Sequence, residues 1–390
     1  MSAGDPSGDQ LLSKIIKQIK ESSSEPVEFV GLAGPLCENE GVKVIVQAKE
    51  VAVVGLVEVL RSLPKIFRAM KRLERELENV DSVLCVDFPD FNLRLAKMAK
   101  KKGIPVDYVV APQVWAWRSS RLKDIAHLVR RLYPALSFEE ELFREAGVDA
   151  HYMGHPIRDS LEPRNPKAAR AELGIAEDEF VMCLMPGSRH GEVRRHLGLL
   201  LESWKLLTKN LTIRNSPLKV RALLPLARGW DAQSLEEHVP REQLATFREL
   251  IESGEWKLVY QAHLAMMASN FGWITSGTAT LEAAYYQLPH ILIYKLNTFS
   301  VFLLQQLSNY VREDDPMVGL PNILLQRKVI PELLQHNLSA GRLVNDTVEF
   351  LENPSQIVMM KKTLRFLPRK LGEPGASRRI ADDLGSLWGL

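Results

Sequence analysis

Residues 271–296, FGWITSGTATLEAAYYQLPHILIYKL, read as strand, glycine turn, helix and strand, a unit that commits a chain to a parallel α/β sheet. Ile274 and Thr275 end a buried strand, Ser276-Gly277-Thr278 form a tight turn, residues 278–286 form a helix, and residues 290–294 form the next strand. A glycine between strand end and helix start lets backbone approach a ligand, and the free N–H groups of the first helical turn favour negative charge. Ser276, Thr278 and Thr280 add hydroxyls. Glu282 lies one turn after Thr278 on the same face, and helical side chains lean toward the N-terminus, so its carboxylate reaches a sugar hydroxyl. Phosphate at the turn and ribose at Glu282 make one nucleotide-shaped site. The plain alternative is an ordinary βα turn with a solvated Glu, of equal weight on this stretch alone.

Two further glycine turns occur. Residues 181–185 form a strand, and Pro186-Gly187-Ser188-Arg189 open a helix toward Leu207, with backbone N–H groups and a guanidinium suited to a diphosphate. At the start, Gly4-Asp5-Pro6-Ser7-Gly8-Asp9 precede an amphipathic helix over residues 11–20, with almost no strand before them. Such a loop normally follows the central strand of a parallel sheet, so the chain reads as having a clipped or misassigned start, with its first strand missing.

Residues 83–87 form a buried strand, and Pro89 opens a helix. Asp87, Asp90 and Asn92 gather at its C-terminal edge, where open α/β sheets bind ligands. Asp90 is well placed as a general base; for Asp87, helix capping and function weigh equally. Trp115 and Trp117, with Arg118, sit on the loop after a strand at residues 106–111 and either pack on a sugar or cover a core edge. From Arg94 to Arg131 ten basic residues face only Asp107 and Asp124, which favours an anionic partner. His155, after a glycine, reads as a structural histidine more readily than a ligand.

A helix is expected to start at Pro64. Val57, Leu60, Leu63, Ile66, Phe67 and Met70 suggest an apolar patch beside basic residues, suited to a membrane surface or a lipid substrate. A core-facing reading has equal weight. Residues 297–312 read as a second surface-seeking helix, residues 316–322 as a loop, and Pro331 as the start of a helical piece.

A chain of 390 residues with 46% hydrophobic content suggests two or three domains. Prolines and charges at residues 159–166 mark a linker. The domains are therefore residues 1–160, Rossmann-like; residues 167–360, Rossmann-like; and residues 361–390, C-terminal helices. A net charge of +2 gives no global field for nucleic acid. Cys37, Cys85 and Cys183 have no pair or metal spacing and fit a reducing compartment. No apolar run of about 18 residues and no signal peptide is visible, so a cytoplasmic or peripheral protein is expected.

The motifs together are specific. Residues 3–9 (AGDPSGD), 54–60, 86–92 (VDFPDFN), 112–118 (PQVWAWR), 154–156 (GHP), 186–189 with Glu192 and Val193, 276–283 (SGTATLEA) and 320–322 (LPN) occur in an order that resembles the lipid-A-disaccharide synthase family, from the first residues to about Gln335. The resemblance implies an inverting glycosyltransferase of GT-B type: two Rossmann-like domains facing a cleft, with C-terminal helices packing back toward the first. It implies transfer of 2,3-diacylglucosamine from UDP-2,3-diacylglucosamine to 2,3-diacylglucosamine 1-phosphate (lipid X), in lipopolysaccharide biosynthesis, with no cofactor and no metal.

The resemblance also implies that residues 1–160 are the acceptor or lipid domain and residues 167–360 the UDP-sugar domain. Carried onto this sequence, Gly187, Ser188, Arg189, Ser276, Gly277 and Thr278 stabilise the leaving diphosphate. Glu282 takes the ribose, and Asn322 lies near the donor. The acceptor lies near Gly4, Ser7, Asp9 and Asp90, with Asp90 as base and Asp87 as second choice. The expected location is cytoplasmic, peripheral on the inner-membrane face, against a phospholipid surface. A homodimer is compatible with the sequence, which does not fix the oligomeric state.

The departures are Asp5 where the family has Glu, the missing first strand, Gln113 after Pro112, and His190 after Arg189. The rivals are another GT-B enzyme, such as a MurG-like transferase or a UDP-sugar epimerase, and a non-catalytic lipid or nucleotide binder.

Overall fold

The computed structural model describes residues 1–51, 56–112, 114–115, 121–213, 220–227, 229–295 and 317–390, with residues 56–63 and 213 as backbone only. Two compact units result. Among the described residues, one holds Met1–Ser160 with Leu371–Leu390, and the other holds residues 161–295 and 317–370.

The first unit carries a parallel sheet of β1 (Ser2–Ala3), β2 (Val30–Ala33), β3 (Lys43–Gln47), β4 (Val83–Val86), β5 (Val106–Val109) and β6 (Arg131–Tyr133), in the order β3-β2-β1-β4-β5-β6. The second repeats that order with β7 (Phe180–Met185), β8 (Val220–Pro225), β9 (Trp256–Val259), β10 (Phe271–Thr275), β11 (His290–Tyr294) and β12 (Glu332–Leu334), as β12-β11-β10-β7-β8-β9. In both, the strand order reverses beside the first strand of the unit, between β1 and β4 and between β7 and β10. Loops leaving the C-terminal ends of such a strand pair diverge to opposite faces and open a crevice between them.

Helices cover both faces of each sheet, so strands are apolar on both sides. Every residue of β10 is buried, and the Trp273 indole donates to Thr347 Oγ1 at 2.8 Å. In the first unit the helix Pro6–Ser22 places Leu12, Ile15, Ile16 and Ile19 against the same core as Ile380, Ala381 and Leu384 of the last helix, Ala376–Trp388. That last helix is capped by Asp159, which accepts the backbone N–H groups of Gly375, Ala376 and Ser377 at 2.6, 3.1 and 2.7 Å. Its far end is tied down by Trp388, whose indole donates to the buried Asp107 at 2.8 Å.

The central strand that the sequence reading expects to be missing is occupied. Ser2 and Ala3 pair with Cys85 and Val86 on one side, and Ser2 pairs with Leu32 on the other. Three other expectations change. Pro64 lies inside a helix, Leu56–Glu76, rather than at its start. Residues after Pro331 form the edge strand β12 instead of a helix, and of the expected loop at residues 316–322 the last three belong to a helix, Leu320–Leu325. The supposed patch on the Leu56–Glu76 helix is divided: Phe67 is exposed, Ile66 is partly buried and Met70 joins the core. The side chains of Val57, Leu60 and Leu63, and the expected helix at residues 297–312, lie outside the described residues. No helix among the described residues is long and apolar enough to cross a membrane.

Candidate active site

The sequence-predicted residues fall largely on the turns at the two strand-order reversals. In the second unit, the turn after β7 holds Gly187, Ser188 and Arg189, and the turn after β10 holds Ser276, Gly277 and Thr278. The strands are neighbours, paired from Phe271 with Met182 to Ile274 with Met185. Thr275 Oγ1 donates to the Met185 carbonyl at 2.7 Å, which clamps the two strand ends together. Gly187 and Gly277 have φ of 120° and 141°, values that side chains disfavour.

The two turns differ in one respect. At the first, the nearly buried Glu192 fills the helix N-terminus: its Oε2 accepts the N–H groups of Ser188 and Arg189 at 3.1 and 3.3 Å, and its Oε1 pairs with the Arg189 guanidinium at 3.3 Å. A Glu in the first helical turn reaching back in this way is half of a capping box. At the second turn the cap residue is Gly277, with no side-chain acceptor, and Gly277 and Thr278 are exposed. One turn further on, Glu282 is partly buried and, among the described residues, its carboxyl group makes no hydrogen bond or ion pair. Burial raises its carboxyl to about 7. An acid held in this state beside an open helix N-terminus gains by accepting from a donor such as a sugar hydroxyl.

A residue that the sequence reading did not single out ties the turn after β7 to the end of β11. His196 is fully buried; its Nδ1 lies 3.1 Å from the Pro186 carbonyl, and its Nε2 accepts the Lys295 N–H at 2.9 Å. Those partners select the neutral ring with the proton on Nδ1. Burial lowers its pKa to about 4. His196 thereby sets the distance between the turn after β7 and the end of β11. Its signal in sequence is a lone histidine on an apolar helical stripe with Val193, Leu197 and Leu200.

In the first unit, the turn after β1 is closed on itself. Asp5 caps the helix Pro6–Ser22 by accepting the Gly8 N–H at 2.8 Å, and it also accepts the Ser7 hydroxyl at 2.6 Å. Asp9 is buried and engaged by backbone: it accepts the N–H groups of Gly34, Leu36 and Cys37 at 2.8, 3.0 and 3.2 Å, capping the helix Pro35–Asn39. Gly4 faces the Phe88 ring so closely that a Cβ there has no room.

The turn after β4 is strained. Asp87 and Phe88 both take left-handed backbone, φ 44° and 49°, and Val110, after β5, does so at 57°. Each costs about 1–2 kcal/mol and persists only where the surroundings enforce it. The enforcing groups are present. The buried Asn92 donates Nδ2 to the carbonyls of Asp87 at 2.7 Å and Val86 at 3.2 Å, and the Tyr108 hydroxyl donates to the Asp87 carbonyl at 2.6 Å. Ser2 in turn donates to Asn92 Oδ1 at 2.6 Å, so the short first strand also supports the turn. Beyond it Asp90 is exposed and ion-paired with Arg121. Asp87 is partly buried. The two carboxylates that the sequence puts at one strand edge are both there.

The remaining predicted residues are placed as follows. Asn322 is fully buried, and its amide is satisfied by backbone and by one carboxylate: Nδ2 donates to the Ile330 carbonyl at 2.8 Å and to Glu332 Oε1 at 2.7 Å, and Oδ1 accepts the N–H groups of Val329 and Ile330 at 2.8 and 2.9 Å. It scaffolds the entry to β12. Trp115 donates its indole N–H to the buried Glu139 at 2.9 Å and meets Phe138 edge-on. Burial raises the Glu139 carboxyl to about 7. Trp117 and Arg118 lie outside the described residues. His155 is buried and accepts the Ile157 N–H at 3.1 Å, a structural position.

Comparison with known proteins covers nearly the whole chain. A family model described as lipid-A-disaccharide synthetase matches residues 1–378. A lipid-A-disaccharide synthase of Syntrophus aciditrophicus is 35% identical over 384 residues, covering 97% of this chain and 94% of that protein. One of Methylobacillus flagellatus is 34% identical over 391 residues, covering 97% of each. Among solved structures, the UDP-GlcNAc 2-epimerase of Neisseria meningitidis bound to UDP-GlcNAc aligns with a TM-score of 0.61 at 12% identity, covering 98% of each chain. The S. aureus MnaA–UDP structure aligns with the same score and identity, covering 100% of this chain and 96% of that one. At such identity these two speak for the fold alone: two Rossmann-like α/β units, the GT-B class.

Proposed function

The chain belongs to the lipid-A-disaccharide synthase family and is a glycosyltransferase of lipid A biosynthesis, and from that premise we propose how its residues divide the reaction. The donor is UDP-2,3-diacylglucosamine and the acceptor is lipid X, as the family implies. The UDP diphosphate lies at the open turn of Ser276, Gly277 and Thr278, within reach of Gly187, Ser188 and the Arg189 guanidinium. Glu282 accepts from the ribose hydroxyls. The acceptor lies at the other reversal, beside Gly4 and Ser7.

The acceptor 6-hydroxyl oxygen attacks the anomeric carbon of the donor, its proton passes to Asp90, and the bond from that carbon to the UDP oxygen breaks with inversion. Negative charge grows on UDP, so fixed donors at the turn and Arg189 supply the larger share of stabilisation. Asp87, held in strained backbone, is the second choice for the base. Asp9 and Asn322, with their polar groups engaged by backbone, are positioning residues in this reading, as is Trp115 through Glu139. The enzyme works in the cytoplasm, peripheral on the inner-membrane face, with the exposed Phe67 reaching toward lipid.

The single observation that carries the donor assignment is the contrast between turns. Those after β1 and β7 hold an internal carboxylate, Asp5 or Glu192, whereas the turn after β10 holds none and has Glu282 unpaired beside it. The test is release of UDP from UDP-2,3-diacylglucosamine in detergent, with and without lipid X. Release that depends on lipid X and falls by about 10²–10⁴-fold in Asp90→Asn supports the reading. Dependent release that survives in Asp90→Asn moves the base to Asp87, and release without lipid X sinks the transfer itself. The rival enzymes and the non-catalytic binder are not favoured by a family match that spans nearly the whole chain.

A further inference from the structure

Residues 353–370 contain five cations and no Asp or Glu. They form the helices Pro354–Leu364 and Leu367–Lys370 of the second unit. Met360, Leu364 and Leu367 face the core. On the outside, Val358 and Met359 are 49% and 68% exposed, and Phe366, in the turn between the two helices, is 53% exposed. Large apolar groups this open and this close in sequence mark a surface that meets something. Lys362 and Arg365 stand exposed among them.

The charge is crowded as well. Arg164, from the loop before helix Pro166–Glu172, donates to the Tyr286 carbonyl at 2.7 Å, and Arg365 donates to the Gln287 side chain at 3.4 Å. Burial and then Arg365 lower the pKa of Arg164, and burial and then Arg164 lower that of Lys361. Among the described residues none of these three cations has a carboxylate partner. Cations at the C-terminal end of the helix Thr278–Tyr285 answer its dipole, which accounts for Arg164. It accounts neither for the exposed Lys362 nor for the open Met359 and Phe366.

We propose that this face, with Met359 and Phe366 inserted and Lys362 and Arg365 over headgroup phosphates, is a docking surface for an anionic phospholipid bilayer. Cations that lack an acidic partner complement such a surface, and interleaved apolar groups distinguish it from a purely electrostatic site. The proposal rests on the lipid-substrate reading above only in choosing a bilayer over other polyanions. It puts lipid contact on the second unit, independent of Phe67 on the first.

The test is co-sedimentation of the full chain with vesicles of phosphatidylcholine alone and of phosphatidylcholine with phosphatidylglycerol. Binding is expected only to the anionic vesicles. The pair Lys362→Ala with Arg365→Ala should weaken it by about 10–30-fold, at roughly fivefold per cation. Met359→Ser with Phe366→Ser should weaken the part that survives high salt. Circular dichroism and UDP release in detergent micelles should match the parent for both pairs. Unchanged vesicle binding in both pairs overturns the proposal, as does a parent that ignores anionic vesicles. Equal competition by heparin would make the face a general polyanion site, and a dimer that dissociates in Met359→Ser with Phe366→Ser while vesicle binding persists would assign it to a second copy; either result also overturns it. Vesicle binding that behaves as expected in a chain without UDP release would sink the enzymatic reading and leave the surface standing.

Discussion

Oε2 of Glu192 accepts the backbone N–H of Ser188 at 3.1 Å, in the turn where the sequence leads one to expect a diphosphate. A ligand that takes this N–H has to displace a carboxylate that already holds it. Removing that carboxylate in Glu192→Ala orphans the N–H groups of Ser188 and Arg189, at a cost of about 1–3 kcal/mol without ligand. Saturating UDP should restore part of the loss, because phosphate oxygens then take the freed donors in addition to the ordinary mass-action gain. Thermal unfolding of parent and variant, with and without UDP, checks this. A deficit of the same size in both conditions means that the diphosphate never reaches this turn.

How much of this was legible beforehand differs from element to element. The stretch from β10 through its turn to β11 announced itself, because an apolar run, a glycine turn and a short helix follow one another at full length. Two residues of β1 cannot display a period; their strand character comes from Leu32, Cys85 and Val86 on either side. β12 follows a proline, which in sequence reads equally as a helix start. Polar residues are harder to tell apart in sequence. Asp9, Asn322 and Glu282 look alike as acidic or amide groups near motif glycines, yet Asp9 and Asn322 are engaged by groups that only the tertiary fold brings to them, and the Glu282 carboxyl is left without a partner among the described residues.

Glu282 carries a stability cost that its proposed role explains. Burial raises its carboxyl from 4.5 to about 7, so between those values the native chain keeps a proton that the unfolded chain has lost. Its contribution to stability therefore falls as pH rises through that window, by a few kcal/mol at most at about 1.4 kcal/mol per unit. Glu282→Gln removes the penalty, so the variant should have the higher urea midpoint at pH 8, with the advantage fading toward pH 5. The same variant should bind UDP about 10–100-fold more weakly at pH 8, the worth of a hydrogen bond to a charged acceptor. Unchanged UDP affinity would remove Glu282 from the donor site.

His196 behaves in the opposite sense. Its folded pKa, lowered to about 4, lies below the ordinary 6.5. Its contribution is complete above 6.5 and is lost as pH falls toward 4, because the unfolded chain takes up the proton first. Glu282 and Glu139 tilt the curve the other way over part of that range, so the comparison has to be between variant and parent. In His196→Leu the stability profile should lose this acid-sensitive component, and the Lys295 N–H and Pro186 carbonyl should cost about 1–3 kcal/mol each. A positioning role also predicts that KM for the donor rises severalfold at pH 8, where titration plays no part. Lost stability with unchanged KM would make His196 a structural residue only.

Asn92 carries the strained turn at the other reversal, and it offers the sharpest test of whether that strain serves the reaction. Its Nδ2 holds the carbonyls of Val86 and Asp87 while its Oδ1 takes the Ser2 hydroxyl, so the amide is needed with both ends in place. Asn92→Ala removes these bonds and leaves buried carbonyls unpaired, which should cost about 2–4 kcal/mol. Asn92→Asp, although nearly isosteric, should do no better, because a carboxylate oxygen then faces two carbonyl oxygens. Once Asp87 and Phe88 relax from left-handed backbone, Asp90 follows, since it lies two residues beyond Phe88 in the first turn of the helix Pro89–Lys101 that this turn opens. The expected kinetic signature is a fall in kcat of at least about tenfold, at a temperature where the variant is still folded by circular dichroism, with UDP affinity unchanged because the proposed donor turns lie on the other sheet. If kcat survives in a folded Asn92→Ala, the strained backbone is a by-product of packing and the case for Asp87 and Asp90 loses its structural support.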